Sequence, residues 1–243
     1  MMPRYVPLLL VLTLLAPAPV RAQDDADEGL WSGTAEVSAI ATSGNSETRT
    51  LGLGGEVMFT PDGWHWLGRV AYVESEANDV LSARSTGALL EGAREFSERL
   101  QLYGRTAYRK DRFAGIARRL GVEGGVTLIV ADTDTHTLEF QSGIGYTDEQ
   151  RLRGRNRSAP TLSGTGRYAL ALSETSELTE EVELVSDLDT GENWRVRNVV
   201  ALSAGLTSLV SLKLSHQLSY LNDPVESFRN TDTITSMALV ARF

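Results

Sequence analysis

Apolar and polar residues alternate along most of this chain with a period of two, which is typical of β-strands whose two faces meet different surroundings. The alternation is regular in the last thirteen residues, from Thr231 to Phe243. One face of that stretch carries Thr233, Thr235, Met237, Leu239, Ala241 and Phe243. A strand that ends the chain on an aromatic residue suits the closing strand of a membrane barrel. Most of the preceding sequence repeats this pattern.

Short turn signals recur at the spacing of a two-stranded hairpin, centred near residues 62, 98, 133, 174 and 208. Between them lie more polar connections, at residues 44–47, 75–82, 111–117, 148–159, 187–193 and 222–229. Outer-membrane barrels have this asymmetry, with short periplasmic turns, longer extracellular loops and an even number of strands. The sequence therefore predicts an all-β fold, a single transmembrane antiparallel β-barrel of about twelve strands.

Two stretches fit this pattern less well. Residues 82–100 also fit a helical period. Residues 177–185 are ambiguous because Glu180 shares the parity of Val182 and Leu184. We predict a strand at each, because the hairpin spacing requires one, and we expect a bulge near the turn to reset the parity of Glu180.

The first 22 residues have the features of a secretory signal peptide. Arg4 gives a positive charge, residues 6–16 form an apolar segment, and Val20-Arg21-Ala22 is a small-residue cleavage site. An uncleaved membrane anchor is the alternative, but Pro17 and Pro19 interrupt the segment before it reaches the roughly 20 apolar residues of a spanning helix. We predict an acidic tail at residues 23–30 and the barrel at residues 31–243, located in the cell outer membrane.

Composition narrows the classes of function. Removing Arg4 and Arg21 with the signal peptide leaves 21 basic against 32 acidic residues, a formal charge of −11. This balance argues against nucleic acid as a partner. The chain has no cysteine, which argues against a disulfide framework, a thiol nucleophile and a cysteine lipid anchor.

The strand face opposite the apolar stripe carries charges of both signs, which we predict to line the barrel lumen. These residues are Glu36, Glu56, Arg69, Glu91, Arg105, Arg109, Arg119, Glu123, Glu139, Arg167, Glu181, Glu183, Arg195, Arg197 and Lys213. They are compatible with an ion-lined pore or with an ion-pair network that fills a narrow lumen. Twelve strands lie between the eight that side chains can fill and the sixteen that leave an aqueous channel, so both interpretations stay open.

Candidate chemistry outside the lumen is sparse. His216 has the lipid-facing parity, but its same-face neighbours Leu214 and Leu218 offer no hydroxyl nucleophile, unless strand pairing supplies one. No spacing of His, Asp and Glu suggests a metal site. We therefore predict no enzymatic activity, no cofactor and no metal, with an outer-membrane lipid-modifying enzyme as the alternative.

The predicted loop at residues 148–159 carries the one basic run of the chain, Arg151, Arg153, Arg155 and Arg157. Arginines in this arrangement are suited to the phosphates of lipopolysaccharide. A solvated loop without a partner is the simpler interpretation. A loop-based adhesin or receptor is a further alternative.

Several short segments resemble the YdiY-like family, whose label is salt-induced outer-membrane protein and whose function is unknown. They are Ser43 to Arg49, Tyr103 to Tyr108, Asp111 to Ile116, Gly121 to Thr127, Arg119, and Thr231 to Thr233. The resemblance covers almost all of the chain from Trp31 onwards. It implies a non-enzymatic outer-membrane barrel of a Gram-negative bacterium, either a small channel or a protein that helps the envelope meet osmotic or salt stress.

Phe243 looks like the assembly signal that the barrel-assembly machinery reads on a closing strand. The second aromatic that often stands two residues earlier is replaced by Ala241. The resemblance thus implies two partners, the assembly machinery and the lipids of the outer membrane.

Overall fold

The computed structural model describes the backbone of residues 29–42 and 48–243 and the side chains of residues 29–39 and 49–243. The segments with period-two alternation form twelve consecutive β-strands. The strands are β1 (Trp31–Thr42), β2 (Thr48–Phe59), β3 (Trp64–Ala77), β4 (Val80–Ser97), β5 (Leu100–Asp111), β6 (Ile116–Asp132), β7 (His136–Arg151), β8 (Arg157–Ser173), β9 (Ser176–Asp187), β10 (Trp194–Gly205), β11 (Val210–Leu221) and β12 (Thr231–Arg242). The predicted signal peptide, most of the acidic tail and the first external loop lie outside the described residues.

Each strand pairs antiparallel with its neighbours in the sequence, and β1 pairs with β12, so the sheet closes into a barrel. The predicted fold is therefore confirmed. No helix in the described part of the chain is long and apolar enough to cross a membrane.

The β1–β12 seam is the shortest junction of the barrel. Its register covers only Thr34–Val37 against Leu239–Arg242. The backbone of Phe243 extends it, because its N–H donates to the carbonyl of Gly33 at 3.1 Å and its carbonyl accepts from the Gly33 N–H at 2.9 Å. The last residue of the chain thus takes part in closing the barrel.

The outward face of the barrel is apolar. Large side chains such as Val70, Ile144 and Met237 are 59%, 69% and 52% exposed. Aromatic pairs lie near the strand ends, with Trp31 stacked on Phe59 at the turn side and a Trp–Tyr pair at the loop side. An apolar band flanked by aromatic residues is the exterior of an outer-membrane barrel.

The two ambiguous stretches are strands, as predicted, but the expected bulge does not turn Glu180 inward. The register shift near that turn lies in β8, between Ala171 and Ser173. Glu180 pairs with Val200 and stays on the outward face.

Most external connections are shorter than the sequence suggested, because strands continue through polar residues. The predicted loop at residues 75–82 is a two-residue turn of Asn78 and Asp79, whose φ angles of 51° and 60° are those of a type I′ hairpin turn. The loop predicted at 148–159 shrinks to residues 152–156. The last connection, residues 222–230, remains long.

Candidate functional site: the charged lumen

Strand register places the predicted lumen charges on the inner face, and it places opposite charges side by side. The directly paired residues are Glu56 and Arg69, Glu91 and Arg105, Arg105 and Glu123, Glu139 and Arg167, Arg167 and Glu181, and Glu183 and Arg197. Opposite charges on neighbouring strands stabilise a sheet, whereas like charges destabilise it. The interior is therefore held by a network rather than lined by independent charges.

Arg105 lies at the centre of the most densely packed part of this network. Its guanidinium is 3.2 Å from Glu123 and 3.1 Å from Glu183, and its side chain is only 8% exposed. The Tyr103 hydroxyl donates a short hydrogen bond to Glu123. Arg105, Glu123 and Glu183 thus each have a partner of opposite charge, as buried charges require.

Gln141 joins this cluster to the next one, although as a neutral residue it was not among the predicted lumen charges. Its side chain, buried to 3% exposure, donates to Glu91 and to Thr127 at 3.3 Å each. Its carbonyl oxygen accepts from Arg105 and Arg167. A glutamine has both a donor and an acceptor end, so it can link cations with a carboxylate. The sequence feature that could have identified Gln141 is its position on the inward, charge-rich face of its strand.

Two ion pairs cross the lumen. Arg69 on β3 lies 3.9 Å from Glu181 on β9, and these strands are six positions apart in a ring of twelve. Arg105 on β5 reaches Glu183 on the same β9 strand. Residues from opposite walls meet at mid-height, so the lumen is narrow there.

The opposite part of the lumen wall is more open. The inward side chains of Arg69 and Glu56 are 40% and 31% exposed, and those of Lys213 and Glu36 are 29% and 30% exposed. Ala71 also faces inward and is exposed, since its register neighbours are glycines on both sides. Water therefore reaches this wall, whereas Arg105, Glu123 and Gln141 on the other side form a packed patch. The inward arginines beside that patch, Arg167 and Arg197, are 27% and 31% exposed.

Residues 222–230, which we name the outer lid, cover the loop-side mouth of the barrel. Asp223 accepts a hydrogen bond of 2.6 Å from Arg157 and lies 3.7 Å from Arg151. Val225 is 2% exposed and packs on Gly115, where a Cβ atom would lie 2.7 Å from that of Val225. The lid starts between β11 and β12 and is anchored on the far side of the barrel.

The family described as "Protein of unknown function, DUF481" matches residues 35–243. The chain belongs to this family. The membership confirms the expected place in an uncharacterised family. No curated protein matches the sequence of this DUF481 barrel.

Solved membrane barrels are similar to the DUF481 barrel in fold, at low identity. The NanC porin has a TM-score of 0.49 and 9% identity, covering 87% of this chain and 97% of its own. The translocator domain of autotransporter NalP from Neisseria meningitidis has a TM-score of 0.47 and 13% identity, covering 90% of both chains. An anion-selective porin from Comamonas acidovorans has a TM-score of 0.45 and 9% identity, covering 88% of this chain and 98% of its own.

The basic run at residues 151–157 of the DUF481 barrel is divided between two environments. Arg151 is 11% exposed and bonds Glu149 at 2.7 Å inside the mouth, and Arg157 anchors the outer lid. Arg153 and Arg155 are exposed. The lipopolysaccharide contact stays a prediction, with these two arginines as the free part of the predicted set.

The outward face of the DUF481 barrel also carries polar pairs, including one at His216 and one at Glu180. Strand pairing brings the Thr235 hydroxyl within 2.8 Å of His216 Nδ1, a neighbour that the sequence alone does not reveal. Glu180 accepts a hydrogen bond of 2.8 Å from Asn198. A histidine that activates a nucleophile needs a third group bonded to its other ring nitrogen. Within the described residues, no acid or amide makes such a bond to His216.

Proposed function

We propose that this protein is a non-enzymatic outer-membrane channel that passes water and small ions through a narrow lumen closed externally by the outer lid. The observation that carries the proposal is the unequal lumen wall. Arg105 and Glu123 are packed, with 8% and 10% of their side chains exposed. Glu36, Glu56 and Lys213 on the other side are about 30% exposed to water inside the barrel. A lumen whose ion pairs only stabilise the barrel would not require side chains exposed to water along one wall.

The water-exposed ion pairs of the open wall are compatible with a role in salt or osmotic stress. Ion pairs that water reaches are weakened by salt, because the Debye length falls from about 10 Å at 0.1 M to about 3 Å at 1 M ionic strength. The pairs of Arg69 with Glu56 and of Lys213 with Glu36 are of this kind. Rising salt should loosen them and widen the path, while the packed wall keeps its shape.

Single-channel recording of the refolded protein, residues 23–243, tests the proposal. Gel mobility of heated and unheated samples verifies folding. Wild-type barrels should show small, infrequent openings, because the lid covers the mouth. Asp223→Asn removes the charge that holds the lid to Arg157 and should make openings more frequent. Asp189→Asn removes an exposed acid from another external connection and serves as the control.

Folded barrels that stay silent in the wild type and in Asp223→Asn, at low and at high salt, would refute the channel. Equal effects of the two substitutions would show that surface charge, and not the lid, controls access.

A further inference from the structure

Three arginines lie in the outer part of the lumen, beneath the outer lid, two of them on neighbouring strands and the third on the far wall. Arg109 on β5 and Arg119 on β6 are directly opposite each other in register, an arrangement in which like charges repel. Arg195 on β10, on the far wall, lines the same small cavity as Glu149, the carboxylate that bonds Arg119. We name these residues the arginine triad.

Nearby carboxylates neutralise the triad incompletely. Arg119 bonds Glu149 at 2.5 Å, but Glu149 is shared with Arg151, which it meets at 2.7 Å. One carboxylate thus serves two guanidinium groups. The buried Asp187 lines the same cavity as Arg195, but its carboxylate already accepts hydrogen bonds from Asn193 and from the backbone N–H of Asp189.

Unused donors mark the other two members of the triad. Arg109 bonds Asp111 at 2.8 Å through Nη2, while its Nε is buried without a hydrogen-bond partner among the described residues. Arg195 takes part in none of the ion pairs within the described part of the chain. A buried donor left without a partner costs free energy, and an anion would relieve that cost.

We propose that the arginine triad binds a small free oxyanion, of the class of phosphate, sulfate or a carboxylate. Guanidinium groups present paired N–H donors whose geometry matches two oxygens of such an ion. Shielding by the lid strengthens these bonds, because charges interact more strongly away from bulk water. A lipid headgroup does not fit this position, which lies inside the barrel under the lid.

This inference deepens the proposed channel function, because a bound anion would occupy the conduction path. Its test is independent of conduction. Inorganic phosphate is titrated calorimetrically into the refolded protein, residues 23–243, in a non-ionic detergent at low ionic strength. Resistance to urea with and without phosphate gives a second readout.

Arg195→Gln and Arg197→Gln form a matched pair, since both remove an inward arginine from β10. Arg197 already bonds Glu181 and Glu183, so its loss should change phosphate binding little. Loss of Arg195 should weaken binding about tenfold or more, the usual effect of removing a charged hydrogen-bond donor. Glu149→Gln should act in the opposite direction and tighten binding, because it frees Arg119.

Saturable phosphate binding that changes as expected in the three variants supports the site. If the same barrel does not conduct, the proposed channel is refuted and the binding site is not. Absence of saturable binding in the folded wild type overturns the site. So does phosphate affinity that falls equally in the two β10 variants, or that weakens in Glu149→Gln.

Discussion

Replacing Arg105 by methionine tests whether the lumen has one packed wall and one wetted wall. Methionine keeps much of the side-chain volume and removes the charge. Arg105 is 8% exposed and meets two carboxylates, Glu123 and Glu183. Removing one partner of a buried ion pair costs about 3–5 kcal/mol, because the other charge is left uncompensated. We expect Arg105→Met to lower the free energy of unfolding by that amount.

Arg69→Met is the matched comparison. Arg69 also meets two carboxylates, but it is 40% exposed, and Glu56 is 31% exposed. Its second partner, Glu181, keeps Arg167 and Arg197 as partners. Water and the remaining arginines can compensate both acids, so the loss should be about 0–1 kcal/mol, as for exposed pairs.

Reversible urea unfolding in lipid vesicles, followed by the fluorescence of the four tryptophans, measures both values. The double variant Arg105→Met, Glu123→Gln should recover part of the loss, since it removes the uncompensated charge together with its partner. Equal losses in Arg105→Met and Arg69→Met would refute the division of the lumen into two walls. A larger loss in Arg69→Met would reverse it.

Three further predictions concern the exterior and the lid. Val126→Arg on the lipid face should cost about 2–4 kcal/mol in the same urea assay, whereas Ala71→Arg, in the open part of the lumen, should cost much less; equal costs would contradict the assigned faces. Glu180→Leu should stabilise the barrel by about 1 kcal/mol, because it removes a carboxylate from the lipid face; destabilisation would show that the hydrogen bond from Asn198 outweighs the cost of placing this carboxylate there. Gly115→Ala should displace the lid and speed tryptic cleavage within it, since Gly115 has a φ of +75° and lies against Val225 of the lid. The control is Gly191→Ala, which has a φ of +63° but open space around it and should leave cleavage unchanged.

Side-chain alternation alone would suggest Thr127→Arg as the control for Val126→Arg, whereas the structure favours Ala71→Arg. The sequence correctly assigns Thr127 to the inner face, beside the outward Val126, and an inward arginine there would seem harmless. Thr127 is in fact 3% exposed and bonds Gln141. Alternation tells which face a residue is on, but it does not tell whether that face is packed or wetted.

The sequence by itself determined the strands, their number, their faces and the closure of the barrel. These features follow from local geometry, because side chains alternate along every strand and each hairpin joins neighbours in the chain. The strand ends were ambiguous where polar residues continue a strand, as at Arg151. In the sequence, a polar residue in a solvated loop cannot be told from a polar residue that faces the lumen.

Only the tertiary structure decided which charges meet. Arg69 and Glu181 lie far apart in the sequence, yet they face each other because the closed sheet sets β3 opposite β9. The same closure brings the outer lid onto Gly115, and it brings Arg195 to the cavity that Glu149, the partner of Arg119, also lines. Such contacts depend on the curvature and register of all twelve strands together, and no local pattern of residues encodes them.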